Sequence, residues 1–258
     1  MAMADEYPFS EIHEKLHPEL ESIYEIYGFD VFYVYGRKSS KLERNIRRAI
    51  EDIRWGRFYI FLRLYDLLIL SIYKYFIPKY LVQGKYIRVN VPEDLRHLSV
   101  KILCSLEVLK NLEYDLVIRT TASSILNPKS LSLQCLRIAE IDIAYYGGRE
   151  IRQVDGFNFV SGSFTIWNRE AIKLLYNSRK SLDFSLIDDV CFGRFFQSVE
   201  AMKEDLPSIN VGDDSAVISS EIIQKTLHFR CRTGVKERKD LRVMRNLVDL
   251  IKRYALSY

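Results

Sequence analysis

Hydrophobic and polar residues alternate along the chain in two patterns, which predict its secondary structure. Runs rich in aromatic and β-branched residues predict strands at 29–35, 86–91 and 114–119. Between them, apolar residues recur at three- and four-residue steps over 41–54 and 95–112, which predicts amphipathic helices. The order strand, helix, strand, helix, strand is typical of an α/β domain with a mostly parallel central sheet flanked by helices.

The second half of the chain continues this pattern. It predicts strands at 141–146 and 157–167 and helices at 169–178 and 187–200. The sequence shows no internal repeat, low-complexity linker or break in composition, so we expect one domain. The predicted parts are a polar N-terminal leader at 1–28, a main domain at 29–232 and a basic C-terminal helix at 233–258, packed on that domain.

The most apolar stretch, residues 58–82, bears on membrane contact. Arg63, Asp66, Lys74 and Lys79 interrupt it before the roughly 20 clean residues that a spanning helix requires. Its apolar face falls at helical spacing: Leu64, Leu67, Leu68, Ser71, Ile72 and Tyr75. We therefore predict an amphipathic helix that is buried in the core, the placement we favour, or lies on a membrane surface.

Composition narrows the class of protein. The chain has 258 residues, of which 48% are hydrophobic and 28% charged, enough for a continuous core. With 11 Gly, 6 Pro and 4 Cys, it is neither collagen-like nor a disulfide scaffold. The cysteines lie too far apart for a zinc or redox pair, and the chain opens without a secretion signal, so we predict buried free thiols and a cytoplasmic protein.

The net charge of +4 hides an uneven distribution. Residues 1–36 carry 1 base and 8 acids, whereas 37–63 carry 9 and 3 and 225–258 carry 10 and 3. The two basic segments, of +6 and +7, favour an anionic partner. Nucleic acid is the weakest choice, because no nucleic-acid-binding motif accompanies the charge, so we expect none as a partner.

Two short motifs that could bind a metal have simpler explanations. His13, Glu14 and His17 match the zincin pattern, but Pro18 biases His17 away from the helical conformation that this site needs. The pair at 213–214 lies between Gly and Ser and is more typical of a turn. The sequence also contains no P-loop and no dinucleotide-binding glycine motif.

Three stretches, in order, resemble the fringe-like β-1,3-glycosyltransferases, a family with the GT-A fold. Residues 98–106 (LSVKILCSL) and 114–127 (YDLVIRTTASSILN) resemble that family's "NLTLKTL…YVLKTDDDVFVN". Residues 159–175 (FVSGSFTIWNREAIKLL) resemble "YVSGSGYVLSRDAVELL", and 188–193 (DDVCFG) resemble "EDVYVG". The similarity covers roughly residues 86–195.

The resemblance implies a GT-A-like fold and an inverting transfer of a sugar from a nucleotide-diphosphate donor to a hydroxyl of a glycan or lipid-linked acceptor. It implies that Asp189 is the general base, with Asp188 as the fallback. The alternative is that both acids complement the dipole of the helix that begins there. The resemblance also places an acceptor- and donor-facing turn at Ser161, Gly162 and Ser163, which could equally be a bend in a strand.

The sequence departs from the family where an Asp-rich triplet would hold a divalent metal. Thr121, Ala122 and Ser123 stand there, and hydroxyls bind Mg²⁺ or Mn²⁺ far more weakly than carboxylates do. We therefore expect a metal-independent enzyme, requiring no cofactor, or a glycosyltransferase-like binding protein without activity. In the first case side chains must neutralise the diphosphate. The residues expected to bind the donor and its diphosphate are Arg37, Lys38, Arg119, Thr121, Ser123, His228, Arg230, Arg232, Lys236 and Arg238.

Overall fold

A computed structural model describes residues 9–38, 45, 64, 67–94, 97–152, 158–212, 218–231 and 240–256. Its helices are α1 (Phe9–Lys15), α2 (His17–Ile26), α3 (Leu98–Lys110), α4 (Pro128–Ala139), α5 (Arg169–Asn177), α6 (Asp188–Ser198), α7 (Ser220–Lys225) and α8 (Asp240–Leu256). Its strands are β1 (Tyr33–Arg37), β2 (Tyr80–Gln83), β3 (Tyr86–Pro92), β4 (Leu116–Thr120), β5 (Ser124–Leu126), β6 (Tyr145–Arg152), β7 (Asn158–Asn168), β8 (Met202–Asp205), β9 (Ser208–Val211) and β10 (His228–Cys231). A short 3-10 helix spans Arg179–Ser181. The predicted helix at 41–54, apart from residue 45, lies outside the described residues.

The described strands form three mixed sheets, in the orders β1-β3-β2, β5-β10-β9 and β4-β7-β6-β8. Three of the pairings are parallel, namely β1 with β3, β9 with β10 and β6 with β8. The other four are antiparallel, so the α/β class is confirmed but the prediction of a mostly parallel central sheet is wrong. Only five residues separate β6 from β7, and so short a connection joins antiparallel strands.

The N-terminal residues belong to the core. Ile12, Leu16, Leu20 and Ile23 are at most 3% exposed and share a buried cluster with residues of β5, β10 and α8. They recur at three- or four-residue steps and so form one apolar stripe across α1 and α2. The segment predicted as a polar N-terminal leader therefore contributes an apolar stripe to the core.

The helices α3, α5 and α6 pack against β3 and β7 in a second buried cluster. Trp167 of β7 meets Phe192 of α6 edge to face, with ring centroids 5.9 Å apart. Asn168 begins α5 by accepting a hydrogen bond from the backbone N–H of Ala171 at 3.0 Å, as expected of a helix N-cap. This packing fixes the start of α6 beside the middle of β7.

The apolar segment at 58–82 departs from its favoured placement. Residues 67–72 are helical, and Leu70 is buried. On the predicted apolar face, however, Leu68, Ile72 and Tyr75 are 61%, 42% and 60% exposed. The prediction that this face is buried in the core is therefore wrong. No helix within the described ranges has the length and apolar character needed to cross a membrane.

The C-terminal helix and the cysteines follow their predictions more closely. In α8, Met244, Leu247, Val248 and Ile251 are at most 1% exposed, so this helix packs on the core through an apolar face. All four cysteines are free thiols; Cys135 is partly buried and the other three are buried.

Candidate functional site

Three elements meet where β4 ends. The last residue of β4, Thr120, pairs with Phe164 of β7, so residues 161–163 extend past the end of β4. On its other side β7 pairs with β6, but the register jumps between Gly148 and Glu150 of β6. Residues 161–163 fall in that interruption, and irregular pairing of this kind is common beside active sites. The start of α6 packs against the same part of β7.

The most deeply buried charges of this region form an ion pair between Arg119 of β4 and Asp188 of α6. Arg119 is 8% exposed and Asp188 is 7% exposed. Gly162 permits their approach: a Cβ atom there would lie 2.7 Å from Asp188 Oδ2 and 2.9 Å from Arg119 Nη1. Arg119 was predicted to bind the diphosphate. Its charge instead balances that of Asp188, so Arg119 supports the site from within the protein.

Asp189 is half-buried beside this pair. Its Oδ2 accepts a hydrogen bond from the Gly162 N–H at 3.5 Å, and its Oδ1 accepts one from the Val190 N–H at 3.0 Å. Burial raises the pKa of the Asp189 carboxyl, and the nearby charge of Asp188 adds to this effect. A raised pKa makes a carboxylate a stronger base, so of the two acids Asp189 is better suited to accept a proton.

Ser161 and Ser163 are 3% and 4% exposed. Their hydroxyls lie 2.9 Å apart and hydrogen bond to each other. The Ser163 carbonyl accepts hydrogen bonds from the Thr120 and Ser124 hydroxyls at 3.3 and 3.5 Å. Ser163 therefore joins β7 to β4 and β5, and Ser161 bonds within β7, so their contacts do not favour the predicted substrate-facing role of either serine.

The loop at 121–123 does not fit a divalent metal. The Thr121 hydroxyl lies 2.9 Å from that of Ser124, Ala122 packs against Tyr33, and Ser123 is 7% exposed. Within the described ranges, no three His, Cys, Asp or Glu side chains are grouped closely enough to hold a metal ion. The loop therefore offers neutral oxygens where a hard cation needs carboxylates. A metal-independent reaction stays a prediction.

His228 is a core residue. It is 0% exposed and stacks on Phe164, and its two ring nitrogens lie 2.9 Å from the Ser124 hydroxyl and 2.6 Å from the Ser208 hydroxyl. Burial lowers the pKa of His228 to about 3, with the nearby charge of Arg230 as a further cause. The imidazole is therefore neutral, and its burial and its two hydroxyl partners do not favour the predicted contact with phosphate. Arg230 is partly buried on the same strand.

Arg37 and Lys38, predicted from their position after the first strand, line a cavity with a volume of about 760 Å³. Its described lining includes Lys79 of the segment before β2, Arg88 of β3 and the aromatic residues His13, Tyr35, Tyr80 and Tyr86. Lys38, Lys79 and Arg88 form no ion pair with any residue that the structure describes. A concave site with several cations and aromatic rings is suited to an anionic ligand that also carries a ring.

Lys79, Arg88 and the tyrosines were missed by the sequence analysis. The signal was the alternation within β3, where Ile87 and Val89 are buried while Arg88 and Asn90 are exposed. Such alternation assigns Tyr86, Arg88 and Asn90 to one face of the sheet. Because β1 pairs in register with β3, Tyr35 lies opposite Arg88 on that same face.

Ala122 connects this cavity to the region around Asp189. Its methyl group packs in a small cluster with Tyr33, Tyr35 and Tyr86. The Ala122 carbonyl lies 3.4 Å from Nε2 of His17. The loop that follows β4 therefore contacts tyrosines that line the cavity, and the same loop is joined through β4 to Arg119.

The two histidines of the zincin-like pattern support this cavity instead of binding metal. Helix α1 ends at Lys15 and α2 begins at His17, so no single helix carries both. Nδ1 of His13 lies 3.0 Å from Nδ1 of His17, and His17 stacks on Tyr33. Burial lowers the pKa of His17 to about 4. His17 is therefore a neutral packing residue.

Several predicted residues lie outside the part of the chain that the structure describes. These are Arg232, Lys236 and Arg238 in the basic tail, and the acidic pair at 213–214. The comparisons with known proteins add no family: no protein-family model matches the chain, and no curated protein matches it significantly.

Proposed function

We propose that the protein transfers a sugar from a nucleotide-diphosphate donor to an acceptor hydroxyl, with inversion and without a metal ion. The observation that carries the proposal is the cavity of about 760 Å³, in which Arg37, Lys38, Lys79 and Arg88 surround aromatic rings at the carboxyl end of β1. Four cations suit a diphosphate, and a tyrosine ring offers a stacking surface for a base. The resemblance to the fringe-like family supports the same substrate class.

In this proposal Asp189 removes the proton from the acceptor hydroxyl. The acceptor oxygen then attacks the anomeric carbon, and the bond from that carbon to the diphosphate oxygen breaks. The diphosphate leaves with the electron pair, and the cavity cations neutralise its charge. Asp188 remains paired with Arg119, which balances most of the guanidinium charge beside Asp189 and holds the start of α6 in place.

A thermal-shift screen of nucleoside diphosphates and nucleotide sugars, with and without Mn²⁺, tests donor binding. A ligand at about 100 times its Kd stabilises the folded protein by roughly 2.7 kcal/mol, or about 5–11 °C in Tm for a chain of this size. We expect a shift that does not require Mn²⁺ and that is lost in the variant Lys38→Gln/Arg88→Gln. Lys225→Gln, on an exposed lysine away from the cavity, is the matched control.

Three outcomes would contradict the donor assignment. One is no stabilisation by any nucleoside diphosphate. A second is stabilisation only in the presence of Mn²⁺. The third is an equal loss of the shift in the cavity variant and in the Lys225 control.

A second candidate function is nucleotide or glycan binding without turnover. It is favoured by the hydrogen bonds that Asp189 already accepts from Gly162 and Val190, since these lower the basicity of a carboxylate. Under this alternative the thermal shift persists, but no sugar is hydrolysed or transferred from any donor that binds.

A further inference from the structure

The segment 67–82 has one anchored side and one exposed side. Leu70 is buried, and Tyr73 and Ile77 pack against the same core cluster. Between these anchors, Tyr75 and Phe76 are 60% and 70% exposed. The segment is therefore fixed to the folded body while large apolar side chains project from it.

The exposed apolar residues continue into β2, which lies at the edge of its sheet among the strands that the structure describes. In this strand Tyr80, Leu81 and Val82 are 37%, 53% and 41% exposed. A row of exposed apolar residues on an unpaired edge is a liability that folded proteins usually cover or interrupt with charge. We use the name apolar surface for the exposed apolar residues of this segment, namely Leu68, Ile72, Tyr75, Phe76, Tyr80, Leu81 and Val82.

The segment that carries the apolar surface is itself positively charged, although Lys85 pairs with Glu21 and Glu107 acts on Tyr80 from a neighbouring helix. Residues 67–91 contain four bases, Lys74, Lys79, Lys85 and Arg88, and no Asp or Glu. The 3-10 helix adds two more cations: Nη2 of Arg179 donates to the Tyr75 carbonyl at 3.4 Å, and Nζ of Lys180 lies 6.0 Å from the centroid of the Tyr75 ring. In sequence, the segment 37–63, with its charge of +6, precedes this window by three residues, one of which is Asp66.

We propose that the apolar surface docks on an anionic lipid bilayer. Aromatic and aliphatic side chains would enter the boundary between headgroups and acyl chains, and the surrounding lysines and arginines would contact the anionic headgroups. Cations that flank exposed aromatic and aliphatic side chains are the arrangement that an anionic bilayer binds, and this charge pattern favours a bilayer as the occupant. The proposal stands without the proposed transferase activity.

Docking also has a consequence for the cavity. Tyr80 and Leu81 of the apolar surface also line the cavity, and so does Lys79 of its basic flank. A docked protein would therefore present the cavity at the bilayer surface. If the proposed function is correct, this placement favours a lipid-linked acceptor over a free glycan. Only this choice of acceptor rests on the proposed function.

Co-sedimentation of the full chain with vesicles tests the docking. We expect binding to phosphatidylcholine vesicles that contain phosphatidylserine, weak binding to phosphatidylcholine alone, and loss of binding in high salt. Ile72→Ser/Phe76→Ser should lower the partition coefficient at least about tenfold, since full burial of one such side chain is worth that much. Leu133→Ser/Leu136→Ser is the matched control, because these leucines of α4 are 68% and 69% exposed.

A second readout reports insertion directly. In Phe76→Trp the new indole should shift its emission to the blue and be quenched by brominated lipid when anionic vesicles are added. Absence of binding, equal binding to neutral vesicles, or an equal loss in the Leu133/Leu136 control would each overturn the proposal. So would a concentration-dependent dimer that Ile72→Ser/Phe76→Ser disrupts, since a second copy of the chain would then be the occupant. Donor binding measured without lipid is independent of all these outcomes.

Discussion

Replacing Asp188 by Asn should destabilise the protein strongly, because it leaves the Arg119 guanidinium buried without its counter-charge. Arg119 and Asp188 are 8% and 7% exposed, so little water can replace the lost carboxylate. Breaking a buried pair from one side typically costs about 3–5 kcal/mol of unfolding free energy. For a chain of this length, that corresponds to a fall in Tm of about 6–20 °C.

Thermal unfolding followed by circular dichroism measures this effect, and two further variants make it specific. Glu221→Gln removes the same charge from the pair with Lys225, whose side chains are 73% and 75% exposed, and should cost at most about 1 kcal/mol. Removing both buried charges, in Arg119→Met/Asp188→Leu, should recover much of the loss, because no unpaired charge remains. If Asp188→Asn costs no more than Glu221→Gln, the buried ion pair does not hold β4 and α6 together as argued.

Three further changes test neighbouring features. Asp189→Asn should raise Tm more near about pH 7 than near about pH 3. The pKa of the Asp189 carboxyl is raised in the folded protein, so its contribution to stability is lost as the pH rises through that pKa. Equal shifts in Tm at both pH values would contradict a raised pKa. Gly162→Ala should cost roughly 1–3 kcal/mol of unfolding free energy in denaturant titration, since the new Cβ would lie 2.7 Å from Asp188 Oδ2. An unfolding midpoint equal to that of the wild type would show that the ion pair can move aside. The ring of His228, with its pKa lowered to about 3, should show no NMR titration between about pH 5 and 8, whereas a midpoint near its ordinary value of about 6.5 would place it outside the core.

Elements with strong local signals could be predicted from the sequence. The strand at 86–91 and the helix at 169–178 correspond closely to β3 and α5, since β3 alternates strictly and the N-cap Asn168 marks the start of α5. The N-terminal helices were missed because the eight acids of residues 1–36 outweighed an apolar stripe only one residue wide. The direction of β7 depends on which strands it pairs with, and no local pattern encodes that.

In the candidate site, too, the sequence predicted the residues but not their separate environments. The sequence singled out the acids at 188 and 189 together and Arg119 nearby, and the structure brings all three beside Gly162. It could not assign separate environments to two adjacent acids, because the ion pair of Asp188 depends on how α6 packs against β4. The exposure of Phe76 is likewise a tertiary property, since the same periodic pattern suits a core helix and a surface one.

The central claim is that Asp189 acts as the base of a metal-independent sugar transfer. It is tested most directly by measuring turnover of a bound nucleotide sugar in EDTA, for the wild type and for Asp189→Asn. The account predicts turnover by the wild type without metal, and a loss of about 10²–10⁴ in kcat in the variant with donor affinity unchanged. Undiminished turnover in Asp189→Asn, or donor binding without any turnover by the wild type, would contradict it.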